Sequence, residues 1–247
     1  MNKLKFFLAG LILGLGHLSA ENTYLLSYPR SGSAWVMYTV QYVTQQRWHD
    51  GSAILVFPPL KKEIRKGRPI LFRSHLARSG RIFSSDKNRP YRCSPKNDKL
   101  IILVRNYKEC LMRHLGYDID RILQNIETPM SVCYFQVLKC YDQWNPAKRL
   151  LVYYEELMLR PEQELRRIND FLGASEERFA KFMDNYQQHV DQSFKIKAER
   201  KAPTPSQGKD LLYHTQKLNN KYALRQIDQL VKSKYPDLYE KYLTRYN

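Results

Sequence analysis

Acidic residues are in short supply in this 247-residue chain: 24 Asp and Glu stand against 41 Lys and Arg, a formal net charge of +17. That imbalance argues against cationic partners and points to anions, whether nucleotide, glycan, nucleic acid or a membrane surface. The cations are spread along the chain without RGG repeats or Lys runs, so no nucleic-acid tail is written into it. Cysteine is equally sparse. Cys93, Cys110, Cys133 and Cys140 form neither a C-x-x-C pair nor a Cys/His metal spacing, which excludes a disulfide-stapled scaffold and a zinc module. Buried thiols are the expectation, with one disulfide open to an exported protein. Repeats and low-complexity tracts are absent. With 43% hydrophobic and 13% aromatic residues, the chain has the material for one sizeable core, hence one domain over 21–247.

No apolar run reaches the length of a bilayer-spanning helix. The nearest is Phe6–Leu15, preceded by Lys3 and Lys5 and followed by the small residues Ser19 and Ala20. Residues 1–20 therefore read as a signal peptide or an uncleaved N-terminal anchor. Export or secretion follows from a working leader, anchoring from an uncleaved one, and a cytoplasmic protein if the leader does not function.

What the chain does contain is a punctuated stretch, Tyr24–Trp35, reading YLLSYPRSGSAW. β-favouring residues from Thr23 to Leu26 break at Pro29, turn through Ser31, Gly32 and Ser33, and give way to helical periodicity at Ala34 and Trp35. A strand, a tight polar loop and a helix start aim backbone N–H groups, a helix dipole and the Arg30 cation at one point, as an anion requires. An ordinary strand-to-helix turn is the plain alternative. The helix runs over Ser33–Arg47, with Trp35, Val36, Val40 and Val43 on one face; Trp35 is either core or a ring beside the ligand.

Further on, Pro69–Arg73 reads as a strand ending in Arg73-Ser74-His75-Leu76, which places His75 where α/β sheets gather functional side chains. Such a histidine is a candidate general base, or else an ordinary surface or core residue. Residues 77–98 are basic and turn-rich and read as a connection. Lys99–Val104, KLIILV, has the continuous apolar character of a parallel strand covered on both faces. Arg105 follows it directly and is a second candidate anion ligand, because a charge at the end of a central strand needs a partner. A helix is predicted over Asn106–Leu115, another from Pro129 with Thr128 as cap to about Trp144, and a strand over Arg149–Tyr153. Pro161 to Gly173 and Ser175 to about His189 read as two more helices. Residues 190–210 lack periodicity, and helical patterns return from Thr215 to Lys234 and after Pro236. Alternating strands and helices predict a three-layer α/β/α domain with a mainly parallel central sheet.

These residues carry a family resemblance. Tyr28-Pro29-Arg30-Ser31-Gly32-Ser33-Ala34-Trp35 resembles the 5′-phosphosulfate loop of the sulfotransferases, usually YPKSGTTW, and Arg73-Ser74-His75-Leu76 is similar to their KTHL segment. Val104-Arg105-Asn106-Tyr107-Lys108-Glu109 resembles the 3′-phosphate motif VRNPKD. Tyr153-Tyr154-Glu155-Glu156-Leu157 with Phe171-Leu172-Gly173 resembles YEDL and FLG, and Ser193-Phe194 the adenine-contacting SF pair.

The resemblance implies a P-loop-NTPase-like fold, 3′-phosphoadenosine 5′-phosphosulfate as sulfuryl donor, no metal, and transfer to an acceptor hydroxyl or amine. It implies that the amides of Ser31, Gly32, Ser33, Ala34 and Trp35 with Arg30 hold the 5′-phosphate. His75 takes the acceptor proton, and Arg73 steadies the sulfuryl oxygens. Trp35, Tyr154 and Phe194 surround adenine, Ser193 contacts the base, and Arg105 clamps the 3′-phosphate. Arg113 stands where the family has Ser, and Arg200 with Lys201 matches the start of an RKG stretch whose Gly is here Ala202. The acceptor is a glycan, phenol, alcohol or tyrosyl peptide. Two other readings compete: a secreted basic protein binding anionic glycan or nucleic acid without catalysis, and a nucleotide kinase, for which the loop lacks the GxxxxGK[ST] pattern.

Overall fold

The computed structural model describes residues 21–49, 54–62, 64, 71–78, 81–84, 89–128, 132–199 and 213–246. The leader at 1–20, Pro129, and the pair Arg200 and Lys201 lie outside these residues.

Strand β1, Thr23–Ser27, lies inside a six-stranded sheet with β2 (Trp48–His49), β3 (Ile54–Leu55), β4 (Leu71–Ser74), β7 (Lys99–Val104) and β8 (Arg149–Tyr153). The order is β3-β2-β4-β1-β7-β8. All neighbours pair in parallel except the short edge strand β3 against β2. A mainly parallel sheet must be covered on both faces, because its crossovers carry helices. The apolar string of β7 meets that demand by alternation. Leu100, Ile102 and Val104 enter one core with Tyr107, Leu111, Phe135, Leu138 and Ile227, while Ile101 and Leu103 enter the other with Val36, Val40, Leu165, Ile168 and Phe182. Each fully buried aliphatic side chain contributes roughly 1.5–3 kcal/mol, so these two layers hold the sheet. The three-layer α/β/α expectation is met.

Several local expectations are corrected. The connection 77–98 contains a hairpin, β5 (Leu76–Arg78) paired antiparallel with β6 (Arg81–Phe83). A helix not anticipated occupies Ile119–Glu127, its first turn capped by Asp118, which accepts from the Arg121 N–H at 3.0 Å. Thr128 closes that helix instead of opening the next, which begins at Tyr134. The helix predicted to end near His189 breaks at Asn185 and resumes as Tyr186–Glu199, so Ser193 and Phe194 stand on a helix. None of the four cysteines is in a disulfide; Cys110, Cys133 and Cys140 are buried and Cys93 half-buried.

Candidate functional site

Register builds the site. Leu26 lies opposite both Ser74 and Ile102, and Val104 opposite Tyr153. The carboxyl ends of β4, β1, β7 and β8 therefore align, and the residues that follow them, His75, Tyr28–Gly32, Arg105 and Tyr154, share one edge of the sheet. Chain order also reverses here: after β1 the chain builds the β4 side, then crosses to β7 and β8, and ligands bind at such switch points.

The loop after β1 is held by its own backbone. The Ser31 N–H donates to the Tyr28 carbonyl at 3.2 Å and the Trp35 N–H to Gly32 at 3.1 Å. Of the five loop amides in the sequence expectation, these two turn inward, which leaves Gly32, Ser33 and Ala34 for an anion at the N-terminus of helix Ser33–Thr44. Gly32 caps that helix with φ 92° and ψ 13°, and exposed Arg30 holds φ 71°. A non-glycine residue in the left-handed region costs of order 1–3 kcal/mol, and such strain collects at functional sites. The Ser31 hydroxyl lies 3.5 Å from Cys110 Sγ, tying the loop to the helix after β7.

That helix, Tyr107–Leu115, starts on Asn106, whose Oδ1 accepts from the amides of Lys108 and Glu109 at 3.0 and 3.4 Å. It places Arg105 directly before its cap and Arg113 two turns further on. Arg105 is 2% exposed, its guanidinium lies 4.5 Å from the centroid of Tyr154, and its Nε has no hydrogen-bond partner. Tyr154 is in turn pressed onto the loop. A Cβ added to Gly32 would lie 2.5 Å from a Tyr154 ring carbon, so only glycine fits beneath the ring. Loop, ring and arginine form one stack. Half-buried Arg113 has its pKa lowered by burial and by repulsion from Arg105 and Arg30. Among the described residues no carboxylate forms an ion pair with Arg30, Arg105 or Arg113. A buried arginine with an unpaired Nε and two like-charged neighbours is an unbalanced arrangement that a polyanion balances.

His75 sits across the loop from this cluster. Its Nδ1 is 2.7 Å from the Ser27 carbonyl and 3.2 Å from the Ser27 hydroxyl, and its Nε2 faces the Arg73 guanidinium within hydrogen-bond reach. A carbonyl only accepts, so Nδ1 carries the proton and Nε2 carries the lone pair. Burial foremost, then the Arg73 charge, pushes the imidazole pKa down to about 3. It is neutral throughout the physiological range. Beside Arg73 lies a small cavity of about 90 Å³ lined otherwise by Ala34, Met37, Leu55, Val56 and Phe57.

Trp35 is 7% exposed and packs with Tyr38, Phe182 and Tyr186, so the ring next to the loop is embedded in the core of that face. Ser193 and Phe194 lie on the helix Tyr186–Glu199. Three supports escaped sequence reasoning. Glu155 accepts from the Asn106 N–H at 2.8 Å, Tyr134 donates its hydroxyl to the Arg105 carbonyl at 2.6 Å, and the Ser27 carbonyl orients His75. Glu155 stood inside a recognised motif, and Ser27 directly precedes the loop. Tyr134 carries no signal, because its role arises only where two helices meet. Among the described residues no group of three or more His, Cys, Asp or Glu side chains is placed to hold a metal ion. No helix among them is long and apolar enough to cross a membrane.

Comparison with known proteins bears on the fold and the family. Mouse sulfotransferase SULT7A1, crystallised with PAP, superposes with a TM-score of 0.57 at 17% identity over 90% of this chain and 89% of its own. Retinol dehydratase, in complex with androsterone and the inactive cofactor PAP, superposes at 0.60 with 14% identity over 87% and 81%. At such identities the likeness shows a shared fold. No curated protein sequence matches the chain. The family described as "Sulfotransferase domain" matches residues 20–219, the greater part of the length, and the chain belongs to that family.

Proposed function

We propose that this sulfotransferase moves a sulfuryl group from 3′-phosphoadenosine 5′-phosphosulfate to an acceptor hydroxyl, with His75 as the base and Arg105 as the residue that recognises the 3′-phosphate. The observation that carries the reading is buried Arg105, its Nε unpartnered, stacked on a Tyr154 ring that itself rests on Gly32. One stack joins a site for a 5′-linked anion to a site for a second phosphate.

The donor supplies an activated sulfuryl group whose bond to the 5′-phosphate breaks as the bond to the acceptor oxygen forms. The residues divide the remaining work. The amides of Gly32, Ser33 and Ala34, with Arg30, face the charge that gathers on the departing phosphate oxygen. Nε2 of His75 accepts the acceptor's proton once the Arg73 guanidinium, which donates to it in this structure, turns to the sulfuryl oxygens; Nδ1–H stays committed to Ser27. Arg73, beside Nε2, lies where the sulfuryl oxygens pass. Arg105 and Arg113 share the 3′-phosphate, while Tyr154, Trp35, Ser193 and Phe194 border the base. Arg200 and Lys201 belong to this proposal as further phosphate contacts.

Binding an anionic donor offsets the charges of Arg73 and Arg30, so it raises the His75 pKa from its low resting value and makes the imidazole a stronger base when the acceptor is in place. The apolar lining of the cavity beside Arg73 favours a phenol or other apolar alcohol over a glycan as acceptor. Export through the leader at 1–20 is part of the same reading; the mature N-terminus, determined by mass spectrometry on cell fractions, tests it.

The experiment for the whole proposal is a thermal shift. Adenosine 3′,5′-bisphosphate at a hundred times its Kd should stabilise the protein by about 2.7 kcal/mol, with ATP and heparin doing much less. A shift with ATP or heparin and none with the bisphosphate refutes it. With labelled donor, transfer to a panel of phenols, alcohols, glycans and tyrosyl peptides identifies the acceptor.

A further inference from the structure

Glu155 uses both carboxylate oxygens. Oε1 accepts from the Asn106 N–H at 2.8 Å, and Oε2 accepts from the Tyr246 hydroxyl at 2.9 Å. Asn106 is the residue after Arg105 and the cap of helix Tyr107–Leu115. Tyr246 thus reaches the arginine through one carboxylate and one peptide N–H, although 91 residues of chain separate it from Glu155.

The contact is built, not incidental. Tyr246 is 9% exposed, and its ring packs edge-on against Tyr107 and Tyr153, with centroids 6.5 and 6.4 Å away. Its neighbour Arg245 pairs with Glu156 and lies 4.1 Å from the centroid of Tyr153. The Arg245–Tyr246 pair therefore grips Tyr153, Glu155 and Glu156 on either side of Tyr154, the ring on which Arg105 stacks. Burial, followed by the Glu155 charge, holds the Tyr246 pKa above its ordinary value, so the hydroxyl stays protonated and stays a donor.

We infer that Tyr246 is a positioning residue for 3′-phosphate recognition: its hydroxyl fixes the Glu155 carboxylate, which fixes the Asn106 amide and so the direction in which Arg105 leaves the end of β7. The physical requirement is steric and electrostatic together. Arg105 is buried and stacked on Tyr154, with its Nε unpartnered, so a rotation of its backbone moves the guanidinium off the phosphate. A carboxylate with one oxygen released would rotate toward solvent or toward the arginine, and either motion gives up the Asn106 bond. Tyr134, donating to the Arg105 carbonyl at 2.6 Å, holds the same peptide unit from the other side. The two tyrosines bracket it.

This inference rests on the reading that Arg105 takes the 3′-phosphate. Tyr246→Phe keeps the ring and its packing and removes only the hydroxyl, and Glu155→Gln removes the charge that Tyr246 orients. Affinities of the full-length variants for adenosine 3′,5′-bisphosphate and adenosine 5′-monophosphate are measured by calorimetry. Each variant should lose about tenfold for the bisphosphate, corresponding to ~1.4 kcal/mol, the scale of a hydrogen bond to a charged group, with no more than a twofold change for the monophosphate. Equal losses for both nucleotides, or a Tyr246→Phe protein that keeps the full bisphosphate preference, overturn the inference. A wild-type protein without any bisphosphate preference overturns the reading beneath it instead.

Discussion

Replacing Gly32 by Ala tests the stack at the centre of the site. Two costs are separable. The backbone holds φ +92°, and a residue with a Cβ in the left-handed region costs about 1–2 kcal/mol relative to glycine. The new methyl carbon would also lie 2.5 and 2.6 Å from Tyr154 Cε2 and Cδ2, far inside contact distance, so the ring must move. A moved ring gives up its position 4.5 Å from Arg105, and cation–π contact between desolvated groups is worth about 1–2 kcal/mol. Gly32→Ala should therefore lower unfolding free energy by about 2–4 kcal/mol, read from urea midpoints at unchanged m value. The parts are separated by repeating the substitution in a Tyr154→Ala background. There the clash is gone and the Arg105 contact already lost, leaving only the backbone cost of about 1–2 kcal/mol and a coupling of similar size between the two positions. Bisphosphate affinity should fall with Gly32→Ala in the Tyr154 protein and fall further little in the double variant. Additive costs, within about 0.5 kcal/mol, would refute the argument, since they would mean that ring and glycine do not touch.

Other outcomes follow from the same geometry. Arg105→Ala should weaken adenosine 3′,5′-bisphosphate far more than adenosine 5′-monophosphate in calorimetry; a uniform loss would make the arginine structural. His75→Ala should lower transfer ~10²–10⁴-fold while bisphosphate affinity stays within a few-fold, and a parallel loss of affinity would make His75 a ligand instead of a base. His75 also links stability to pH. Its folded pKa lies well below the ordinary histidine value, so the unfolded chain takes up a proton that the folded chain refuses, and stability present above pH 6.5 is lost as pH falls toward 3. The histidine-specific loss between pH 7 and pH 5 is about 2 kcal/mol and should vanish from the urea midpoints of His75→Asn. Arg113→Ser should relieve repulsion with Arg105 and Arg30 and raise the melting temperature of the free protein, while reducing the shift that the bisphosphate produces.

Much of the framework was legible because it rests on local rules. KLIILV became β7 over the same residues, Arg149–Tyr153 became β8, and the break at Pro29 with Gly32 became the turn between β1 and the helix from Ser33, since apolar runs and turn residues act over a few positions. The hairpin at Leu76–Phe83 was less visible, its three-residue strands being too short to display alternation. The helix over Ile119–Glu127 was hidden by Thr128 and Pro129, which look like a helix start when the residues before them are not weighed as a helix. The unbroken stretch Tyr186–Glu199 went unread because its polar, weakly periodic residues carry little amphipathic signal.

By itself, then, the sequence determined which chemical groups this sulfotransferase has and that they stand at strand ends: a loop with an arginine, a histidine, a strand-terminal arginine and a tyrosine in order along the chain. Only the tertiary structure decided what each group faces. Parallel register aligned the four strand ends, close packing put Tyr154 between Gly32 and Arg105, a carbonyl on Ser27 chose which nitrogen of His75 carries the lone pair, and a tyrosine 91 residues away closed on Glu155. The reason is physical: residue type sets charge, shape and proton capacity, whereas distances, desolvation and hydrogen-bond partners belong to residues that meet only when the chain has folded.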